Sequence, residues 1–420
     1  MRTRLSVVDE LFLWTHDGLG LPVVMQGVWR TDTAVTEVEL EQLCEKVAAG
    51  RLGRRVRRSS VPGARPAFVA DRRRYRVDID GGPVERSGVV DWADAQALVS
   101  VDPRRGPGWR ISAVRVVDGG TIVSVTCSHV IADARGLIHA LDDAMHGRSP
   151  ETTAARAGSD LRDAVGTLAR VGFGLTRAVA GLIGSRARRA ELRRFTAPTR
   201  PATERPGRAG ITSAIFEIDA KQWDTAATCA GGTPNSLFLA CVGELARRAE
   251  ESGEVTLSVP MNVRMNTAGV ENAVAMVAVP LRPDTSVTEI RRLCRDAFAA
   301  PPMSSPANFP EELLQVLPDR LARRLVEGPG QRDALGSNIG DVPVTGFGSH
   351  RTAGLAVRAV HPGVTTAQLN ATPTRISGYL CLREGVYTLS LVSFESSDNQ
   401  ELRTRGLHVL SKFGLSAAYW

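Results

Sequence analysis

The segment from Cys127 to Gly136 (CSHVIADARG) holds the side chains best suited to chemistry in this chain. Its histidine, His129, follows an apolar, β-branched run and precedes a helical pattern. A histidine at a strand end can hold its imidazole in a cleft with a pKa near neutrality, where it takes a proton from a hydroxyl or amine nucleophile. Asp133 stands four residues on, across a turn, so it is expected to fix the loop rather than reach the ring. A buried carboxylate needs a partner, and an arginine from another segment is the natural one. On the residues alone, a hydrogen-bonded structural histidine is an equally good reading of His129.

Other signatures are missing. The chain has no Gly-Lys dipeptide and so no P-loop, and residues 336–340 (GSNIG) imitate the spacing of a nucleophile elbow with Asn in the wrong place. Gly172 to Gly174 and Gly346 to Gly348 lack the third glycine of a dinucleotide loop. His16 and Asp17 are adjacent, so their side chains diverge. His139 and His146 are read as flanking helix packing, and His350, His361 and His408 have no metal-ligand spacing. The six cysteines are far apart without a C-x-x-C, which predicts buried reduced thiols and no metal site.

The elements that would position His129 can be read around it. Residues 109–117 and 121–127 form two β-branched runs, and the turn Asp118, Gly119, Gly120 between them reads as a hairpin. After Gly136, the spacing of Leu137, Ile138, Leu141 and Met145 predicts a helix, as Val38, Leu40, Leu43 and Val47 do over 37–49. A long helical region over 160–195 is expected to bury one face carrying Leu161, Val165, Leu168, Val171, Leu175, Val179 and Leu182. Its basic tail reads as a solvated face, with a membrane-surface segment as the functional alternative.

Residues 196–210, with three prolines and two glycines, read as a linker between residues 1–195 and 211–420. Beyond it come strands at 211–218, 255–260, 274–281, 376–382 and 386–394, with helices at 234–250 and 400–410. Strands and helices alternate in both parts, which predicts an α/β (α+β) chain of two lobes, each with its own mixed sheet.

The net charge of +7 over 420 residues comes from arginine, because only Lys46, Lys221 and Lys412 are lysines among 52 basic residues. Aromatic residues are 5% and are not interleaved with the arginine clusters, which argues against a nucleic-acid platform. A positive surface also suits coenzyme A or an acidic carrier protein. The longest apolar stretch, residues 273–281, is far short of the roughly 20 residues of a membrane-spanning helix. The start carries charge before any apolar segment, so no secretory signal and a cytoplasmic location are expected.

His129 and Asp133, with Gly136 nearby, resemble the HHxxxDG motif of the chloramphenicol-acetyltransferase-like acyltransferases. That superfamily includes condensation domains, bacterial wax ester synthase/diacylglycerol acyltransferases and polyketide-associated acyltransferases. Further marks run through most of the chain in the expected order. Residues 5–13 (LSVVDELFL) are similar to an "LSxxDxxFL" opening, and residues 109–120 resemble the segment leading into the active-site strand. Residues 232–240 (GTPNSLFLA) are similar to a "GxTxNDxxLAA" helix with Ser236 in place of Asp, residues 259–264 (VPMNVR) resemble "VPVSVR", and Ser337 with Asn338 resembles a late "SN" segment. Two positions depart from the motif: Ser128 replaces its first histidine, and Ala134 replaces the glycine after the aspartate, where a Cβ is expected to narrow the donor channel or shift the loop.

The resemblance implies two chloramphenicol-acetyltransferase-like lobes with a tunnel between them and His129 at its middle. It implies an acyltransferase with His129 as general base, moving an acyl group from a thioester to a hydroxyl or amine on a small-molecule or lipid acceptor. No cofactor would be bound permanently. Acyl-CoA, or the phosphopantetheine thioester of an acyl carrier protein, would be the co-substrate. Asp133 would be structural, paired with Arg264, with Gly136 beside it. Ser128, Asn235, Ser337 and Asn338 are candidates for lining the tunnel or holding the oxyanion. Peripheral membrane contact is a further expectation, and the alternative function is a non-catalytic, condensation-domain-like protein that binds an acyl chain or carrier protein.

Overall fold

The hairpin that leads to His129 forms because two β-branched runs meet at a turn only glycine makes easily. Gly119 and Gly120 take φ of 100° and 82°, and a Cβ on Gly120 would come within 2.3 Å of the Thr31 carbonyl oxygen. The computed structural model describes residues 3–73, 75–148, 159–186, 188–190, 193, 211–248, 253–262, 272, 274–299, 309–318, 321–322, 332–343, 346–347, 349–396 and 398–420.

The strands in the first part are β1 (Val24–Thr31), β2 (Arg54–Arg57), β3 (Ala67–Ala70), β4 (Val77–Ile79), β5 (Trp109–Arg115) and β6 (Thr121–Ser128). The second part adds β7 (Thr212–Asp219), β8 (Val255–Asn262), β9 (Val274–Leu281), β10 (Ala334–Asp341), β11 (Gly346–Phe347), β12 (His350–Val360), β13 (Ile376–Arg383), β14 (Val386–Ser393) and β15 (Ala418–Tyr419). One mixed sheet has the order β11-β12-β1-β6-β5-β4, the other β15-β7-β14-β13-β10-β8-β9, and β2 pairs with β3. The fold is thus α/β with two mixed sheets. Strands β11 and β12 lie beyond residue 211 yet pair beside β1, so the first sheet takes strands from both sides of residues 196–210, which lie outside the described residues.

Helices α1 (Val7–His16), α2 (Glu37–Ala49), α3 (Val89–Leu98), α4 (Ala134–Met145) and α5 (Asp160–Gly184) belong to the first part. The second holds α6 (Ala220–Cys229), α7 (Pro234–Ala246), α8 (Val287–Ala299), α9 (Leu313–Val316), α10 (Thr366–Ala371) and α11 (Asn399–Lys412). The first core packs Trp29, Trp109, Val125 and Leu141 with Tyr379 and Phe394 from beyond residue 211. The second surrounds α7, where Phe238, Leu239 and Val242 are fully buried. Gly378 lets that helix close on β13, since a Cβ there would stand 2.5 Å from Val242 Cγ2. Burying each such side chain stabilises the fold by about 1.5–3 kcal/mol.

The hairpin, α2, α4, β7, β9, β13 and β14 lie where the sequence placed them. The helix expected over 234–250 ends sooner, at Ala246. Strands β1, β10 and β12 were not expected. The long helix differs most: its buried line in α5 is Ala164, Thr167, Val171 and Ala178, while Leu161, Val165, Leu168 and Val179 are exposed among the described residues. Small side chains let the helix lie close to the body, which leaves the larger ones outside. Five of the six cysteines are buried as expected, and Cys229 is exposed.

Candidate active site

Strand β6 is buried along its whole length and ends at Ser128, so the chain must leave the sheet at His129. The departure is fixed on both sides. The Ser128 N–H donates to Gly108 O at 2.9 Å, and the Ser128 carbonyl accepts from Ile131 N at 2.8 Å. Val130, Ile131 and Ala132 are buried and anchor the turn, and Arg54 donates to the Ile131 carbonyl at 2.6 Å. Asp133 then caps α4, its Oδ1 accepting from Gly136 N at 2.7 Å. This satisfies one of the free N–H groups at the start of the helix. Ala134 opens α4 and packs its methyl against the first core.

Asp133→Ala therefore removes a cap and a buried charge. It is expected to cost at least about 1 kcal/mol in urea unfolding, and Asp133→Asn, which can still cap, is expected to lose less. Equal losses in the two variants would show that the cap is not what Asp133 contributes.

The His129 ring is half-buried at its surface and Nδ1 is sealed from solvent. Phe12, on α1, stacks on the ring with centroids 3.6 Å apart and planes within 13°. Burial pushes the imidazole below its ordinary pKa, against the opposing pull of Asp133, of the His129 carbonyl itself, of Asn272 and of Asp9. The ring is therefore neutral near pH 7 and has a nitrogen able to accept a proton. A second imidazole lies within electrostatic reach: His361, just past β12, donates from Nδ1 to Pro22 O at 2.7 Å, and burial above all, with a smaller push from His129 when that ring is protonated, takes it down to about 4.

Of the residues singled out in the sequence, His129, Asp133, Gly136 and Ser128 share one turn. Asn235, in the first turn of α7, and Asn338, on β10, meet, Asn338 Nδ2 donating to Asn235 Oδ1 at 3.1 Å. Asn338 Oδ1 also accepts from Gly340 N at 2.9 Å. Ser337 lies next to Asn338 on β10, opposite Tyr379. None of the hydrogen bonds described for these three residues reaches His129. Ser236 completes the capping box of α7 with Thr233, the place a carboxylate would take. Arg264, and with it the expected Asp133–Arg264 pair, lies outside the described residues.

Sequence reasoning missed Phe12, Asn272 and His361 as neighbours of His129. For Phe12 the signal was present: the opening L-S-x-x-D-x-x-F puts Asp9 and Phe12 three residues apart, on one helical face. Asn272 and His361 had no local pattern to mark them.

Solved structures share this fold at low sequence identity. The first condensation domain of the CDA synthetase aligns with a TM-score of 0.63 and 13% identity, covering 98% of this chain and 96% of that one. The wax ester synthase/diacylglycerol acyltransferase from Marinobacter aquaeolei VT8 aligns with a TM-score of 0.58 and 14% identity over 98% of this chain and 100% of that one. The condensation domain of the monacolin K polyketide synthase aligns with a TM-score of 0.58 and 14% identity, over 98% and 97%. No family model and no curated protein matches the chain. The chain shares its fold with these condensation domains and with this wax ester synthase/diacylglycerol acyltransferase, as the motifs around His129 led one to expect.

Proposed function

We propose that this protein transfers an acyl group from a thioester, acyl-CoA or the phosphopantetheine of an acyl carrier protein, to a hydroxyl or amine acceptor. The observation that carries the reading is His129 itself: a neutral, desolvated imidazole at the end of a buried strand, in a fold whose solved examples include an acyltransferase and condensation domains. His129 takes the proton of the acceptor as its oxygen or nitrogen attacks the thioester carbonyl. The C–S bond then breaks, and the imidazolium returns the proton to the leaving thiolate, giving an ester or amide and a free thiol. Holding donor and acceptor in line supplies much of the acceleration, and no covalent acyl-enzyme is needed. Asp133 holds the loop, and the Asn235–Asn338 pair with Ser337 is a candidate lining of the substrate path.

The acceptor is a small molecule or lipid. A peripheral membrane contact is supported by the apolar side chains of Leu161, Val165, Leu168, Val179 and Ile183, exposed on a helix that also carries Arg162, Arg170 and Arg177. Among the described residues no helix is long and apolar enough to cross a membrane. We place the chain in the cytoplasm on this reading.

The test is mass spectrometry of alcohol and amine acceptors incubated with short-chain and long-chain acyl-CoA and with an acyl carrier protein thioester. A new ester or amide is the expected result. Thioester binding without product from any pair would overturn the reading in favour of a non-catalytic acyl-binding protein, for which the Ser128 and Ala134 departures speak.

A further inference from the structure

Asn272, which precedes β9, is buried and donates from its amide nitrogen: Nδ2 reaches Asp9 Oδ1 at 2.7 Å and the His129 carbonyl at 2.8 Å, with the Val130 carbonyl at 3.5 Å. This fixes which way the amide faces. Turned over, its oxygen would stand against a carboxylate and a carbonyl, two acceptors with no proton to offer. Oδ1 must therefore point away from both, and there it is buried without a hydrogen-bond partner among the described residues. The Nδ1 of His129 is likewise buried without a hydrogen-bond partner among the described residues. The Asn272 side chain is near enough to the ring to raise its proton affinity, although Nδ1 and Oδ1 do not meet in hydrogen-bond geometry.

Asp9 is itself held. Its second oxygen, Oδ2, accepts from Ser6 N at 2.8 Å and from Ser6 Oγ at 2.7 Å, which closes the capping box of α1. One carboxylate thus ties the start of α1 to Asn272, and Phe12, one turn along the same helix, covers the ring face. Two segments distant in sequence from His129, α1 and the residue before β9, converge on its turn.

From this we infer that Asp9 and Asn272 are positioning residues for His129. Asp9 orients the Asn272 amide, its N–H holds the His129 carbonyl, and its Oδ1 takes the Nδ1 proton of the ring after a small rotation. That fixes one tautomer, with the proton on Nδ1 and the lone pair on Nε2 free to act as base. Neither residue touches substrate. The inference rests on the acyl-transfer reading for its catalytic meaning, but the tautomer is a property of the resting protein and can be measured without turnover.

The experiment pairs the two. In protein labelled with 15N-histidine, long-range 1H–15N spectra, with His129 assigned by its loss in His129→Gln, are expected to show a protonated Nδ1 and a bare Nε2 in the wild type. Asn272→Ala and Asp9→Asn are expected to mix the tautomers. Asp133 and Asp9 are the charged groups acting on the ring, and His361 is the titratable group that the protonated ring itself disfavours. Because Asn272 and Asp9 both raise its proton affinity, each variant should move its titration to lower pH. In the transfer assay, Asn272→Ala should lower kcat by up to about 10²-fold through misplacement of the base, with KM changed much less, and shift the acid limb of the rate profile the same way. A wild-type ring protonated on Nε2, or an unchanged tautomer and titration in both variants, overturns the inference. If no substrate pair reacts, the spectra still decide it, and only the acyl-transfer reading fails. Should Asn272→Ala fail to fold, Asp9→Asn supplies both readouts.

Discussion

Replacing His129 with alanine should lower the rate of acyl transfer by about 10²–10⁴-fold, the range a positioned general base contributes. The loss should fall on kcat rather than KM, because on the proposed reading the imidazole acts on the acceptor proton in the transition state and does not hold the acyl chain. Folding should survive. The ring is stacked on Phe12 at the mouth of the turn, whereas the turn itself is held by the Ser128 backbone, by buried Val130 and Ile131 and by the Asp133 cap. Near-identical circular dichroism and a similar urea midpoint would show this. His129→Gln refines the test, since it fills similar space without a basic nitrogen and should be as slow as alanine. Transfer retained at wild-type rate in either variant would remove His129 from the chemistry and leave the ring a structural role.

How much of this was legible in the sequence depends on whether the physical signal is local. The strand–turn–helix around His129 was readable because every part of it is short-range: β-branched runs, two glycines at positive φ, an aspartate at the helix start. Strands β1 and β12 were not, for a specific reason. Strand β1 and the second half of β12 are covered on both faces, so no alternation of polar and apolar residues marks them, and Gln26 and Arg358 are buried in a network of their own. Gln26 donates from Nε2 to Ala93 O at 2.7 Å and accepts at Oε1 from Arg358 Nε at 2.9 Å, while Arg358 pairs with Asp94 at 2.6 Å. A glutamine and an arginine in the middle of a run read as surface, yet here each is fully buried, the glutamine hydrogen-bonded at both ends and the arginine held by Gln26 and the Asp94 carboxylate. The same limit hid Asn272 and His361, whose roles exist only once strands from the two parts of the chain lie side by side. Leu161, Val165 and Leu168 show the opposite error: a regular apolar line marks a helix, but not which face the body will cover.

Acidification between about pH 6.5 and pH 5 should destabilise the protein through its buried histidines. His361 is driven down to about 4 by burial, and His129 is driven down by the same cause. In this window the unfolded chain binds protons that the folded chain refuses. Stability is therefore fully present above the unfolded histidine pKa of about 6.5 and is lost as pH falls toward the folded value. The shift of His361 sets a ceiling of about 3 kcal/mol on its share once the pH has dropped past about 4. Carboxylates held low in the folded state, among them Asp102, Asp163 and Glu39, destabilise in the same direction, but only as their unfolded counterparts protonate near pH 4. Urea midpoints compared at about pH 6.5 and 5 therefore isolate the histidines. His361→Asn keeps a donor for the Pro22 carbonyl and removes the titration, so its stability should vary less over this interval than that of the wild type, even if its midpoint at pH 7 is lower. Equal slopes in the two proteins would mean that His361 takes its proton in the folded state as readily as in the unfolded one. The buried Nε2 of His361 has no hydrogen-bond partner to hold that proton among the described residues, so the flatter slope of the variant is the outcome the site's geometry requires.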